Sequence, residues 1–266
     1  MFQSPGAIIA QLGPLTIRWY GFMIALGFLL ATYFAQKLAR KWGIDGDKIV
    51  NCTLIGFMGG IIGARLYFVS LNLGEFSLHP LDIMQTWKGG MSIHGGLIGG
   101  ILATWFYCRF AKLPFLTCLD IGGAALPLAQ AIGRWGNFFN SEAFGQPVGA
   151  DFPLKLFIPE DKRPAMYQTF QYFHPTFLYE CIWDLAIFYL LYFVLANRLK
   201  KYPGVTFMCY LGLYSIGRLL IEPLRVDSLP AFGMPAPILA SVVILIGSAS
   251  GIALLLLKYR SKKKAV

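Results

Sequence analysis

Long apolar runs separated by short clusters of charge set the character of this chain. Runs at about 18–39, 50–71, 92–110, 117–135, 176–197, 204–222 and 236–257 are each near the ~20 residues that a helix needs to cross roughly 30 Å of hydrocarbon. The pattern predicts an all-α integral membrane protein with seven transmembrane helices, read as one polytopic domain over 1–266. The first run begins too late, and lacks the basic start and small-residue cleavage site, to be a removable signal peptide. Gly56 and Gly60, with the offset pair Gly59 and Gly63, mark the second run; Gly95 and Gly99, with Gly96 and Gly100, mark the third. Small residues four apart let helix backbones approach closely in lipid, so these two spans are expected to pack against each other or against a neighbour. The connection at 136–175 carries Pro147, Pro153, Pro159, Pro164 and Pro175, which exclude a long helix. Its mixture of Phe152, Leu154, Leu156, Phe157 and Ile158 with charged neighbours predicts a small folded cap.

Composition agrees: 56% of residues are hydrophobic and 14% charged, the latter about half the charged share of a soluble domain. The net charge of +10 would suit nucleic acid, but its distribution argues against that partner. Loops 37–48, 109–116 and 198–202 and the tail from Lys258 hold 14 of the 23 Lys and Arg. With seven alternating spans these segments share one side, which the positive-inside rule assigns to the cytoplasm. The N-terminus and the cap are then outside, and the tail with Lys262, Lys263 and Lys264 anchors on the inner leaflet. Five scattered cysteines with no ligand spacing predict neither a metal site nor a disulfide framework. No nucleotide-binding fingerprint is present, so no cofactor is expected.

Polar residues within or beside the spans are the candidates for chemistry, because charge in lipid is costly. Arg134, Asn137, Asn140 and Glu142 crowd within nine positions where the fourth span ends, with Gly133, Gly136 and Gly145 to let the backbone turn or pack closely. In the sixth span Tyr214, Arg218 and Glu222 are four apart and share a helix face; Pro223 should end or kink the helix at Glu222. Arg134 and Arg218 reach the same end of their spans, and two planar forked donors suit a phosphate or carboxylate. A self-neutralising Arg218–Glu222 pair is the simpler alternative. His94, between glycines at the start of the third span, can move a proton near neutral pH. Tyr20 is either an interfacial aromatic anchor or a hydroxyl contact for a headgroup. Glu180 and Asp184 share a face of the fifth span and repel unless a cation intervenes; Arg65 is expected to pair with one of them. Asp120 reads as a helix-start charge.

These residues stand in order as Ile17-Arg18-Trp19-Tyr20-Gly21, Gly63-Ala64-Arg65-Leu66-Tyr67, His94-Gly95-Gly96, Gly133-Arg134-x-Gly136-Asn137-Phe138-x-Asn140-x-Glu142-x-x-Gly145, His174-Pro175-Thr176-x-Leu178-Tyr179-Glu180 and Gly217-Arg218-x-x-x-Glu222-x-x-Arg225. In these motifs, and over about residues 5 to 260, the chain closely resembles the prolipoprotein diacylglyceryl transferases of the bacterial inner membrane. The resemblance implies transfer of the diacylglyceryl group of phosphatidylglycerol to the lipobox cysteine thiol of a prolipoprotein signal peptide. A thioether forms and glycerol phosphate leaves, in the first step of lipoprotein maturation, with no metal or cofactor and with the active site towards the periplasmic leaflet. The roles it implies are phosphate stabilisation by Arg134 and Arg218, and headgroup binding by Tyr20, Asn137, Asn140, Gly145 and Tyr214. Glu142 and Glu222 would hold the two arginines. The thiol proton goes to His94, or to water or a leaving-group oxygen in the positive field of the arginines.

Three other classes compete. A retinal photoreceptor needs a lysine inside the last span, and 236–257 has none. An intramembrane serine protease needs a serine in glycine-loop spacing with polar company, which the Gly247–Gly251 stretch lacks. A lipid or anion transporter would also place arginines in a cleft, but transporters commonly show related halves and interrupted midplane helices, and no repeat is visible.

Overall fold

The structure, a computed structural model, describes residues 1–13, 15–86, 89–228, 230–231 and 233–264. The side chains of Lys262, Lys263 and Lys264, given an anchoring role above, lie outside the described residues. Six helices are long and apolar enough to cross a membrane: Trp19–Lys41, Gly46–Leu71, Phe115–Asn140, Thr176–Leu199, Val205–Leu224 and Ala236–Ser261. The expected third span is also helical, at Ile93–Ala111, but falls outside that set; four glycines, His94 and Arg109 dilute its apolar character. The chain divides into two compact units, Met1–Phe34 with Asp120–Val266, and Ala35–Leu119.

The strands and helices, numbered along the chain, begin with β1 (Phe2–Gln3), the hairpin strands β2 (Ile8–Leu12) and β3 (Leu15–Arg18), and α1 (Trp19–Lys41). Then come α2 (Gly46–Leu71), α3 (Leu73–Leu78), α4 (Ile93–Ala111) and α5 (Phe115–Asn140). Strands β4 (Leu156–Phe157) and β5 (Tyr172–Phe173) precede α6 (Thr176–Phe188), which continues through a π-helical stretch at Tyr189–Leu195 into α7 (Ala196–Leu199). Last are α8 (Val205–Ile221), strands β6 (Pro230–Ala231) and β7 (Met234–Pro235), and α9 (Ala236–Lys264).

In the unit 35–119, α2 and α4 run together along their glycines. A Cβ on Gly63 would strike the carbonyl of Gly95 and sit 2.8 Å from Cα of Gly99, and one on Gly99 would strike the carbonyl of Gly59. Main chain therefore touches main chain, as the small-residue spacing predicts, and association in lipid rests on this close contact. The segment after α2 is tied down by Arg65, whose Nε donates to the carbonyl of Ile83 at 2.9 Å. Its Nη1 donates to Gly89 and Gly90 at 2.8 and 2.9 Å, and its Nη2 to Asp82. The charge of Arg65, expected to be met by Glu180 or Asp184, is instead met by these four carbonyls. A planar guanidinium with five donors satisfies such a cluster without an acid.

In the other unit, α8 packs on α9 and on α6. Trp183 of α6 covers Gly217 and donates Nε1–H to the carbonyl of Leu213 at 3.0 Å. Asp120, 1% exposed, is a helix-start charge as expected, but for another helix. Its carboxylate accepts from the N–H of Gly204 at 2.7 Å and of Phe207 at 2.8 Å, satisfying the otherwise unpaired donors of α8. The 136–175 connection is folded. β4 pairs in parallel with β1 (Phe2 beside Leu156) and antiparallel with β5 (Leu156 beside Phe173). Its core of Phe144, Leu156, Ile158 and Phe173 is continuous with Phe138 of α5 and Phe177 of α6. This packing fixes the ends of α5 and α6 that carry the polar cluster.

Candidate active site

The site is built on α5, α6 and α8. Helix α5 runs on through the polar motif to Asn140, five residues past the sequence-based boundary, so Gly133, Gly136 and Asn137 are helical. Gly136 serves packing: a Cβ there would lie 2.7 Å from Cδ2 of Tyr20, and its absence lets the tyrosine ring rest on the helix. The chain then turns sharply, with Ser141 and Ala143 at φ of 54° and 56°, a region uncommon outside glycine. The segment returns to Gly145, where a Cβ would lie 2.6 Å from Cβ of His174 and 3.0 Å from the carbonyl of Leu224. Only glycine lets these three segments meet.

Arg134 and Arg218 converge, as their positions predict, and the meeting point is Glu180. Arg134 Nη1 lies 3.0 Å from Glu180 Oε2, and Arg218 Nη1 lies 2.5 Å from Oε1. A third arginine joins them: Arg225 Nη1 is 3.4 Å from the same Oε1. Arg134 Nε also reaches Asp184 Oδ2 at 3.5 Å, and Arg218 Nη2 pairs with Glu222 Oε2. Glu222 is held from its other oxygen by the Ser228 hydroxyl at 2.7 Å. Arg225 is clamped in fork geometry by Asp227, Nε to Oδ1 at 3.0 Å and Nη2 to Oδ2 at 2.9 Å. Glu180, Asp184 and Glu222 are 3%, 2% and 1% exposed. Buried charges of this kind persist only when paired, and here the pairing is mutual.

Glu180, Asp184, Arg225, Asp227 and Ser228 were not among the predicted site residues. Glu180 and Arg225 carried a signal in the resemblance motifs; Arg225 reaches the cluster because Glu222-Pro223-Leu224 forms one 3-10 turn in place of a helix end. Arg134 is held by Glu180 and Asp184, the task expected of Glu142. Glu142 is exposed and stands with Arg134 in the electrostatic surroundings of Tyr20. Glu222 does hold Arg218, so the self-neutralising pair exists, as one edge of a larger network. Tyr214 stands in the electrostatic surroundings of Arg134, and Tyr210 one turn before it shares a hydrogen bond of 3.2 Å with Gln130. The side chains of Asn137 and Asn140 are half-buried.

His174, at the edge of the sheet, shares a 3.1 Å hydrogen bond between Nδ1 and the Tyr179 hydroxyl, and burial lowers its pKa below the ordinary imidazole value. His94 belongs to the unit 35–119. It is the second residue of α4, exposed, with its ring 6.2 Å from that of Tyr67. Among the described residues no group of three or more His, Cys, Asp or Glu is arranged to hold a metal ion.

A family model described as prolipoprotein diacylglyceryl transferase matches residues 7–256. A phosphatidylglycerol–prolipoprotein diacylglyceryl transferase of Nostoc sp. is 44% identical over 268 aligned positions, covering 99% of this chain and 93% of the relative. Proteins of the same name from Thermotoga maritima and Synechococcus elongatus are 44% and 45% identical. They cover 90% and 86% of this chain, and 81% and 80% of their own lengths.

Proposed function

We propose an activity from the premise that this chain belongs to the prolipoprotein diacylglyceryl transferase family: it moves the diacylglyceryl group of phosphatidylglycerol onto the thiol of a prolipoprotein cysteine. It is a transferase, and a membrane protein of several apolar helices. The observation that carries the mechanism is the convergence of Arg134, Arg218 and Arg225 on one buried point.

In this reading the sulfur attacks the glyceryl carbon that bears the phosphate. The carbon–sulfur bond forms, and the carbon–oxygen bond breaks with its electron pair on the phosphate oxygen. Negative charge therefore grows on the phosphate as the bond breaks. Fixed guanidinium groups aimed at that oxygen lower the barrier without having to reorganise. Asn137, Asn140, Tyr20 and Tyr214 hold headgroup oxygens, and the tight junction at Gly145 keeps the turn after α5 against Leu224 and His174. Glu222 and Glu180 orient the guanidiniums. The nucleophile is the thiolate, and the thiol proton goes to His94, or to water or a leaving-group oxygen in the positive field of the arginines. The acceptor peptide is the lipobox segment of a signal peptide. The enzyme sits in the bacterial inner membrane with the 136–175 segment and the arginine cluster on the periplasmic side, an orientation supported by the basic loops.

Purified protein in detergent, given phosphatidylglycerol and a labelled lipobox peptide, is expected to shift the peptide to the mobility of its diacylglyceryl form. Arg134→Ala is expected to abolish that shift. Retention of near-normal transfer by this variant refutes the phosphate role. An unchanged pH–rate profile and rate in His94→Gln removes His94 as the base.

A further inference from the structure

The arginine cluster has no charge to spare. Its three guanidiniums, Arg134, Arg218 and Arg225, face three buried carboxylates, Glu180, Asp184 and Glu222, and a fourth, Asp227, at the half-exposed rim. With every group ionised the buried set is neutral, and Asp227 makes the sum negative. A phosphodiester anion placed among these arginines leaves uncompensated negative charge in a water-poor site. Such a site responds by moving a proton, because a buried carboxylate without a full partner neutralises rather than remaining charged.

The three buried carboxylates are not equally held. Glu180 faces three guanidiniums. Glu222 has Arg218 and the Ser228 hydroxyl. Asp184, 2% exposed, has Arg134 alone among the described residues within ion-pair distance, at 3.5 Å. The titratable and charged groups around it are Arg134 from α5, Glu180 and Cys181 from its own helix, and Tyr210 and Arg218 from α8. When a phosphate oxygen engages Arg134, Asp184 loses part of its only close partner while Glu180 remains one turn away. It is the carboxylate that gives way.

We propose that the phosphate of the lipid donor enters this cluster together with one proton, and that Asp184 is the group that takes it up. The proposal rests on the reading of the arginines as the phosphate site, and it assigns Asp184 a place in donor binding. A phosphodiester does not titrate between pH 6 and 9, so a proton taken up in that range comes to the protein. A protonated Asp184 is also unable to accept the thiol proton.

The test is donor binding without peptide. Dioctanoyl phosphatidylglycerol is titrated into the purified full-length protein in a neutral detergent, by calorimetry, from pH 6 to 9. Two buffers of different ionisation enthalpy are used, with dioctanoyl phosphatidylcholine as the control lipid. The expected result is a buffer-dependent heat corresponding to about one proton taken up, and a Kd that weakens about tenfold per pH unit over the alkaline part of the range. Asp184→Asn, which mimics the protonated acid, is expected to bind with a flat pH dependence. Binding of phosphatidylglycerol with no buffer-dependent heat and a flat Kd overturns the proton uptake and leaves the phosphate site standing. Retention of the slope in Asp184→Asn overturns the assignment to Asp184. No binding of phosphatidylglycerol by the wild-type protein overturns the phosphate site itself. Should Asp184→Asn fail to fold, the wild-type measurement decides the uptake, and Asp184→Glu, which keeps the acid, decides the assignment by infrared difference spectroscopy: the protonated-carboxyl band that appears on donor binding is expected to move in this variant, and an unmoved band overturns the assignment.

Discussion

At the scale of single residues, the geometry separates charge from shape. Arg218 uses two different nitrogens, Nη1 towards Glu180 and Nη2 towards Glu222, and lysine has one nitrogen to offer. Arg218→Lys therefore keeps the charge but gives up one of these two contacts. Loss of a charge-assisted hydrogen bond is worth about 1.5–3 kcal/mol, so peptide lipidation by this variant is expected to fall about 10- to 100-fold. Transfer within twofold of wild type would show that the second nitrogen does nothing. His174 gives a pH prediction. Its pKa is lowered in the folded protein by burial, so the unfolded chain binds the proton more readily. The stability contributed is complete above the unfolded value, about 6.5, and is lost as pH falls through the lower folded value. Thermal unfolding in detergent is expected to show a drop in Tm on acidification below about pH 6.5 that is smaller in His174→Asn. The sequence exposed these residues unevenly. Arg134, Arg218 and Glu222 were legible because charge in an apolar run stands out. The hub, Glu180, was visible as a charge but not as a meeting point, since its three partners come from two stretches about 40 residues or more away on either side. The partners of Arg65 were not legible at all, because backbone carbonyls have no sequence signature.

Helices and their seams were the most legible level. Every apolar run became a helix, because spans of that length in lipid have no other way to satisfy their backbone. What was lost are the short pieces. Two-residue strands such as β4 and β5 carry no period to read, and the hairpin of β2 and β3 lies in a stretch whose alternation is weak. The extension of α5 past residue 135, through Gly136, was also hidden, since glycine suggests a turn until the ring of Tyr20 is seen resting on it. The seam of α2 and α4 makes a quantitative case. An added methyl at Gly63 meets main chain of Gly95 and Gly99, and main chain cannot rotate away as a side chain can. Gly63→Ala is expected to destabilise by about 1–3 kcal/mol through overpacking. Gly247→Ala, in open space within α9, is expected to be neutral or to gain up to about 1 kcal/mol from helix propensity. Chemical denaturation in mixed micelles compares the two, and equal effects would refute the seam.

For the whole molecule, the proposed orientation rests on where the basic residues sit, and it can be checked without knowledge of the chemistry. Alkaline phosphatase fused at Pro164 is expected to be active in cells, and the same reporter fused at Lys112 inactive; the reverse pattern would invert the protein and move the arginine cluster to the cytoplasm. Composition made the membrane class legible, whereas the 136–175 connection took its form from the pairing of residue 2 with 156 and of 156 with 173, too distant for local pattern to reveal. A last consequence concerns the stretch after α2. The main-chain oxygens of Asp82, Ile83, Gly89 and Gly90 converge on one guanidinium, so one tether gathers these four residues. Cutting it in Arg65→Met should turn the connection into the first point of entry for an added protease, with the flanking helices still protected.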